Sequence, residues 1–184
     1  GDANEHSNYQ YYFDKNKPFK DPLALFLSGH FYTIKELLDD YQKISIMGFS
    51  GGGWYAVWLS ALIPEISTSI SYAGTFPMVY HFVRDKNFEI DYSPGDWEQT
   101  ESDVYDDYDY WELYALMTID MKGVQNRKTY LIYNNQDSCC YRGASVEHFK
   151  SLAESTSLHG NKIIILESKE HSMDPEVVLS LLGK

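Results

Sequence analysis

The stretch Ile44-Ser45-Ile46-Met47-Gly48-Phe49-Ser50-Gly51-Gly52-Gly53-Trp54-Tyr55-Ala56-Val57-Trp58-Leu59-Ser60-Ala61-Leu62 decides how the chain is read. Its first four residues make a short strand, and the run from Trp54 has the spacing of a well-buried helix that ends near Pro64. Between them lies Gly48-x-Ser50-x-Gly52, with a strand entering and a helix leaving at once. A turn this tight presents the serine at strained backbone angles with its hydroxyl exposed. Glycines two before and two after are expected to let strand and helix pass without Cβ clashes. The helix start also brings free amides and a positive dipole end close to the hydroxyl. A dinucleotide loop needs G-x-G-x-x-G, which this run lacks, and a P-loop needs a lysine, which is absent too.

Working outward, Leu23-Ala24-Leu25-Phe26-Leu27 reads as a strand buried on both faces, closed by Ser28-Gly29. Thr33 with Glu36 three residues later is a capping-box pattern, predicting a helix to about Tyr41. Downstream, strands are predicted at 67–72, 129–133 and 162–166, and helices at about 145–155 and 175–182, the last capped by Asp174 with Pro175 in its first turn. Strand and helix alternate, which predicts an α/β fold: a three-layer sandwich around a mainly parallel sheet. Tyr9-Gln10-Tyr11-Tyr12-Phe13 reads as an edge strand or an aromatic segment lying on the body.

One stretch breaks the alternation. Residues 79–127 are too long for a tight connection and, from 85 to 112, dense in acids, tyrosine and tryptophan. A helix is expected from about 106 to 119, with Trp111, Tyr114, Ala115 and Thr118 along one side. The expectation is a folded cap inserted into a single domain spanning 1–184. Asp103, Asp106, Asp107 and Asp109 do not have EF-hand spacing, so no metal is assigned to them.

Composition sets limits. With 184 residues, 43% of them hydrophobic, the chain can bury one ordinary core. It has no run of eighteen apolar residues, so no membrane-spanning helix is expected. A formal charge of −12 and the lack of a basic aromatic patch argue against nucleic acid as a partner. The two cysteines, Cys139 and Cys140, are adjacent; such neighbours are expected to stay unbridged, and without nearby histidines they make a poor structural zinc site. Neither compartment nor oligomeric state is fixed by these numbers, and no cofactor is implied.

The segment 44–75 resembles the centre of α/β-hydrolase-fold esterases, lipases and dienelactone-hydrolase-like enzymes. In that family an acid follows a later strand and a histidine follows the last one. Here Asn134-Asn135-Gln136-Asp137 follows the strand at 129–133, and Glu167-Ser168-Lys169-Glu170-His171 follows the strand at 162–166. The resemblance, covering about 22–183, therefore implies a triad of Ser50, Asp137 and His171, in the family's chain order. His30 and His81 are the other histidines weighed for the base, and Asp137 has the alternative of a loop-capping role. By the same comparison the Gly51 amide supplies one oxyanion donor, and Gly29 or His30 the second. The family's sheet has more strands before the nucleophile than the first 43 residues can hold, which implies a small or truncated version with a cap.

The function implied is a serine hydrolase that cleaves a small or carbohydrate-linked carboxylic ester through an acyl-enzyme. A peptidase or thioesterase with the same triad, or a non-catalytic binding protein, are the alternatives. The aromatic insertion suits stacking on a sugar or on an aromatic acid.

Overall fold

The computed structural model describes residues 23–82, 97–100, 102–119, 127–156 and 160–183. Tyr9–Phe13 and much of the acidic part of the insertion lie outside the described residues. The elements are α1 (Leu23–Asp40), β1 (Ile44–Phe49), α2 (Gly51–Leu62), β2 (Ile66–Tyr72), α3 (Met78–Phe82), α4 (Trp97–Thr100), a 3-10 turn (Asp103–Asp106), α5 (Tyr110–Thr118), β3 (Lys128–Asn134), α6 (Ala144–Ser155), β4 (Asn161–Leu166) and α7 (Pro175–Leu181).

The strands form one parallel sheet in the order β1-β2-β3-β4, with Met47 opposite Ile70, Ile70 opposite Tyr130 and Leu131 opposite Ile163. Parallel neighbours need a crossover, and α2, α5 and α6 occur in the three connections. Side chains alternate between the faces. Ile44, Ile46, Leu131, Tyr133, Ile163 and Ile165 join a core with Trp54, Val57, Leu59, Tyr114 and Phe149. Ile70, Tyr72, Ile132 and Ile164 meet Val178 of α7 on the other side. Burial on both faces is why the centre of β3, Tyr130-Leu131-Ile132-Tyr133, reads as a continuous apolar run, whereas β1, at the edge of the described sheet, leaves Ser45 and Met47 exposed.

Three glycines open α2, which costs roughly 2–3 kcal/mol against alanine. Burial of Trp54, Val57 and Leu59, each at most 1% exposed, outweighs that at about 1.5–3 kcal/mol apiece. Packing rather than propensity holds this helix. Asp109 starts α5 with a capping box: its carboxylate takes the Tyr110 amide, while Glu112 takes the Asp109 amide at 2.8 Å. The same Asp109 oxygen accepts the Met78 amide at 3.0 Å, tying α5 to α3. Arg127, buried before β3, donates to carbonyls at the ends of both α2 (Ser60, Ile63) and α5 (Leu116, Ile119) and to Ile66. A cation among unsatisfied C-terminal carbonyls also complements two helix dipoles.

Two expectations need correction. The strand at 23–27 and the helix from Thr33 to Tyr41 are one continuous helix, α1. Its buried residues, Leu23, Leu27 and Ile34, recur at helical spacing, while Leu25 is 51% exposed. Ser28 and Thr33 do not break it, because their hydroxyls bond back to the Leu25 and Gly29 carbonyls. In α5 the buried stripe is Tyr110, Leu113, Tyr114 and Met117. Of the residues expected along one side, Tyr114 belongs to this stripe, while Trp111 and Ala115 flank it, partly buried against the same core, as the helix packs on α2 and the sheet.

Candidate active site

Ser50 sits between β1 and α2 at φ 54° and ψ −124°, a left-handed conformation that a non-glycine residue adopts only under constraint. The constraint is visible. The Ser50 amide donates to the Tyr72 carbonyl at 2.8 Å, and the Ser50 carbonyl accepts from Gly53 at 2.8 Å and Trp54 at 3.2 Å. A Cβ on Gly48 would collide with the Gly52 carbonyl, and one on Gly53 would press on Gly74. A Cβ on Gly52 itself meets nothing. The glycines the turn needs for close approach are therefore Gly48 and Gly53, rather than the symmetrical pair around the serine.

The structure brings the three expected residues together. His171 Nε2 lies 3.1 Å from Ser50 Oγ, and His171 Nδ1 lies 3.1 and 3.0 Å from the two Asp137 oxygens. Asp137 is fully buried, while the His171 side chain is 22% exposed. The carboxylate only accepts, so Nδ1 carries the proton and Nε2 faces the serine with its lone pair. Asp137 Oδ1 also accepts the Cys139 amide at 2.7 Å and the Cys140 amide at 3.1 Å, while Arg142 donates to the Asp137 carbonyl at 2.9 Å. The Phe49 ring packs against the imidazole with centroids 4.7 Å apart.

Sequence reasoning passed over the residue that holds the histidine loop. Asn134, at the end of β3 and 1% exposed, donates to the carbonyls of Glu170 at 2.8 Å and Ser172 at 2.9 Å, on either side of His171. Its own oxygen accepts from the buried Tyr72 hydroxyl at 2.8 Å. Burial is the main force raising the Tyr72 pKa, so the phenol stays a donor. One amide thus fixes the loop from β3, where an Asn next to an Asn-Gln-Asp run looked like turn chemistry.

The other candidates lie elsewhere. His81, 2% exposed, bonds the Phe76 carbonyl at 3.1 Å and packs edge-on against Tyr141. Gly29 and His30 fall in the middle of α1, where an amide bonds the carbonyl four residues back. His30 lays its ring edge-on to Tyr55. Gly51 heads α2, in the first turn, whose amides lack intrahelical acceptors. The adjacent cysteines, expected to stay apart, are joined in a disulfide. The turn wraps both their amides onto one oxygen of Asp137, which sets the two side chains next to each other.

Comparison with protein-family models, with curated proteins and with solved structures finds no match to this chain. Among the described residues no helix is long and apolar enough to cross a membrane. The described sheet, with four strands, is smaller than the eight-stranded sheet of full-size hydrolases. Still, a serine at a strand-to-helix turn, hydrogen-bonded through a histidine to a buried aspartate, is the arrangement of the α/β-hydrolase superfamily.

Proposed function

We propose that the chain is a serine hydrolase acting on a small or carbohydrate-linked carboxylic ester. The observation that carries the reading is the unbroken line from Ser50 Oγ through His171 to Asp137 at hydrogen-bond distances. As Ser50 Oγ attacks the ester carbonyl, its proton passes to His171 Nε2, and Asp137 stabilises the imidazolium that forms. The imidazolium then protonates the departing alkoxide, leaving an acyl group on Ser50. A water that gives its proton to His171 attacks this acyl-enzyme and frees the acid. The Gly51 amide is the proposed donor to the oxyanion, in a place where the start of α2 favours negative charge.

The same triad serves esters, thioesters and amides, so the assay separates these substrate classes. A fluorophosphonate should label Ser50 covalently, and His171→Ala should slow labelling by about a hundredfold or more, as expected when a general base is lost. Short acyl esters of nitrophenol, an acyl thioester and a peptide amide are then compared as substrates. Preference for the thioester or amide would replace the esterase reading. A folded chain that neither labels nor turns over would make it a non-catalytic binding protein.

A further inference from the structure

The loop that carries Asp137 also carries Cys139 and Cys140, anchored by their amides on Asp137 Oδ1. That anchorage places the two sulfurs and a ring nitrogen of His171 all within 4.8 Å of one another. Cys139 is exposed, and Cys140 and His171 are partly so, which leaves the group open to small solutes. In sequence the pair lacked a histidine; the fold supplies one from 31 positions downstream of Cys140.

We propose that Cys139, Cys140 and His171 form a site for a thiophilic divalent cation such as zinc(II), open only when the two sulfurs are reduced. Two thiolates and one imidazole are a common donor set for tetrahedral zinc, with water in the fourth place. Bonds of about 2.0–2.3 Å put such donors roughly 3–4 Å apart, within reach of side-chain rotation from the observed cluster. In the structure the sulfurs are bonded to each other and offer no thiolate. A phosphine reductant opens the bond: phosphorus takes up oxygen from water and becomes phosphine oxide, and the water's two protons go to the two sulfurs. Zinc then displaces both thiol protons and takes a lone pair of neutral His171. Whichever ring nitrogen it takes, the imidazole has no lone pair left for the proton of Ser50. This silencing of Ser50 rests on the hydrolase reading above, whereas the binding of zinc does not.

The test is calorimetric titration of zinc(II) into the full chain, oxidised or reduced with a phosphine that is then removed. The reduced chain should bind one zinc at least about tenfold more tightly than the oxidised chain, since losing even a partner behind the ligands weakens a metal site by about 10–100-fold. Cys139→Ser with Cys140→Ser should bring the reduced chain to the oxidised level, and His171→Ala should weaken binding at least about tenfold. Equal affinity in the two redox states would place the zinc on the acidic surface and overturn the proposal; that comparison needs no variant, so a misfolded mutant cannot obscure it. Undiminished binding in His171→Ala would leave a dithiol without the histidine, and would also overturn the three-donor site. Fluorophosphonate labelling of the reduced chain should fall with zinc and return with a chelator. A chain that binds one zinc but never labels would refute the hydrolase reading alone.

Discussion

At the scale of single residues, the site depends on groups that never touch a substrate. Asn134 makes three hydrogen bonds: it donates two hydrogens to the Glu170 and Ser172 carbonyls, and its oxygen accepts from Tyr72. An aspartate has the same shape but no hydrogens to donate, so Asn134→Asp aims a carboxylate at two carbonyl oxygens. The His171 loop should shift, and displacement on the order of an ångström costs about a hundredfold in rate. We expect fluorophosphonate labelling of Ser50 to slow by about ten- to a hundredfold, while circular dichroism of the variant stays native. Labelling at the parent rate would show that the loop is held by other contacts. The triad itself was legible because Ser50, Asp137 and His171 each follow a strand of the parallel sheet, a pattern printed in the chain. Asn134 was not legible, because its partners are backbone carbonyls 36 and 38 positions away. Nothing in residue type marks such a pairing.

At the scale of elements, the turn from β1 into α2 separates two glycines that look alike in sequence. Gly48 has no room for a Cβ, since the Gly52 carbonyl fills that space, whereas Gly52 is exposed with open space and no left-handed backbone. Gly52→Ala should therefore raise stability by about 0.4–1 kcal/mol, through the lower entropy of its unfolded chain. Gly48→Ala should destabilise by more than about 3 kcal/mol, the scale of severe overpacking against fixed backbone. Thermal melts of the two variants check both signs, and a stabilised Gly48→Ala would show that the turn can widen. The same scale explains where the sequence misled. Residues 23–27 are apolar without interruption, a pattern that suits a buried strand and a helix equally. Only Leu23 and Leu27 of that run are deeply buried, and their spacing became meaningful once Ile34 joined them. β3 and β4 were readable because Tyr130-Leu131-Ile132-Tyr133 and Ile163-Ile164-Ile165-Leu166 are continuous apolar runs, while β1 and β2 carry serines and were placed by the glycine turns that follow them.

At the scale of the whole molecule, hydrogen bonds made by buried phenols run through the larger core. Tyr105 takes hydrogen bonds from Trp54 at 3.1 Å and Trp58 at 3.4 Å, and shares one with Tyr110 at 2.8 Å. Tyr114 meets Thr75 at 2.9 Å, and the Tyr133 hydroxyl donates to the Thr75 carbonyl at 2.9 Å. Burial is the first cause that raises each of them: Tyr105 goes from 10.0 to about 12, and Tyr110, Tyr114 and Tyr133 rise from the same value. In the unfolded chain these phenols ionise near pH 10, while the folded chain keeps their protons. Above that pH the unfolded state binds fewer protons than the native one, so stability falls as pH rises. All four contributions are whole below about pH 10; that of Tyr105 is lost upward through about pH 12, and those of Tyr110, Tyr114 and Tyr133 go on falling above it. Tyr110, Tyr114 and Tyr133, each at most 1% exposed, together withdraw about 4 kcal/mol per pH unit in that window. Against a typical domain stability of about 5–15 kcal/mol, unfolding should be complete within a few pH units above pH 10. Alkaline titration followed by far-ultraviolet circular dichroism and tyrosinate absorbance should show the buried phenols ionising together with the loss of helix, in one cooperative step. Stepwise growth of the full tyrosinate signal with the native spectrum intact at pH 12 would mean that water reaches these hydroxyls in the folded state. The phenols would then be lining, and the core would have to be held by its aliphatic and tryptophan contacts alone.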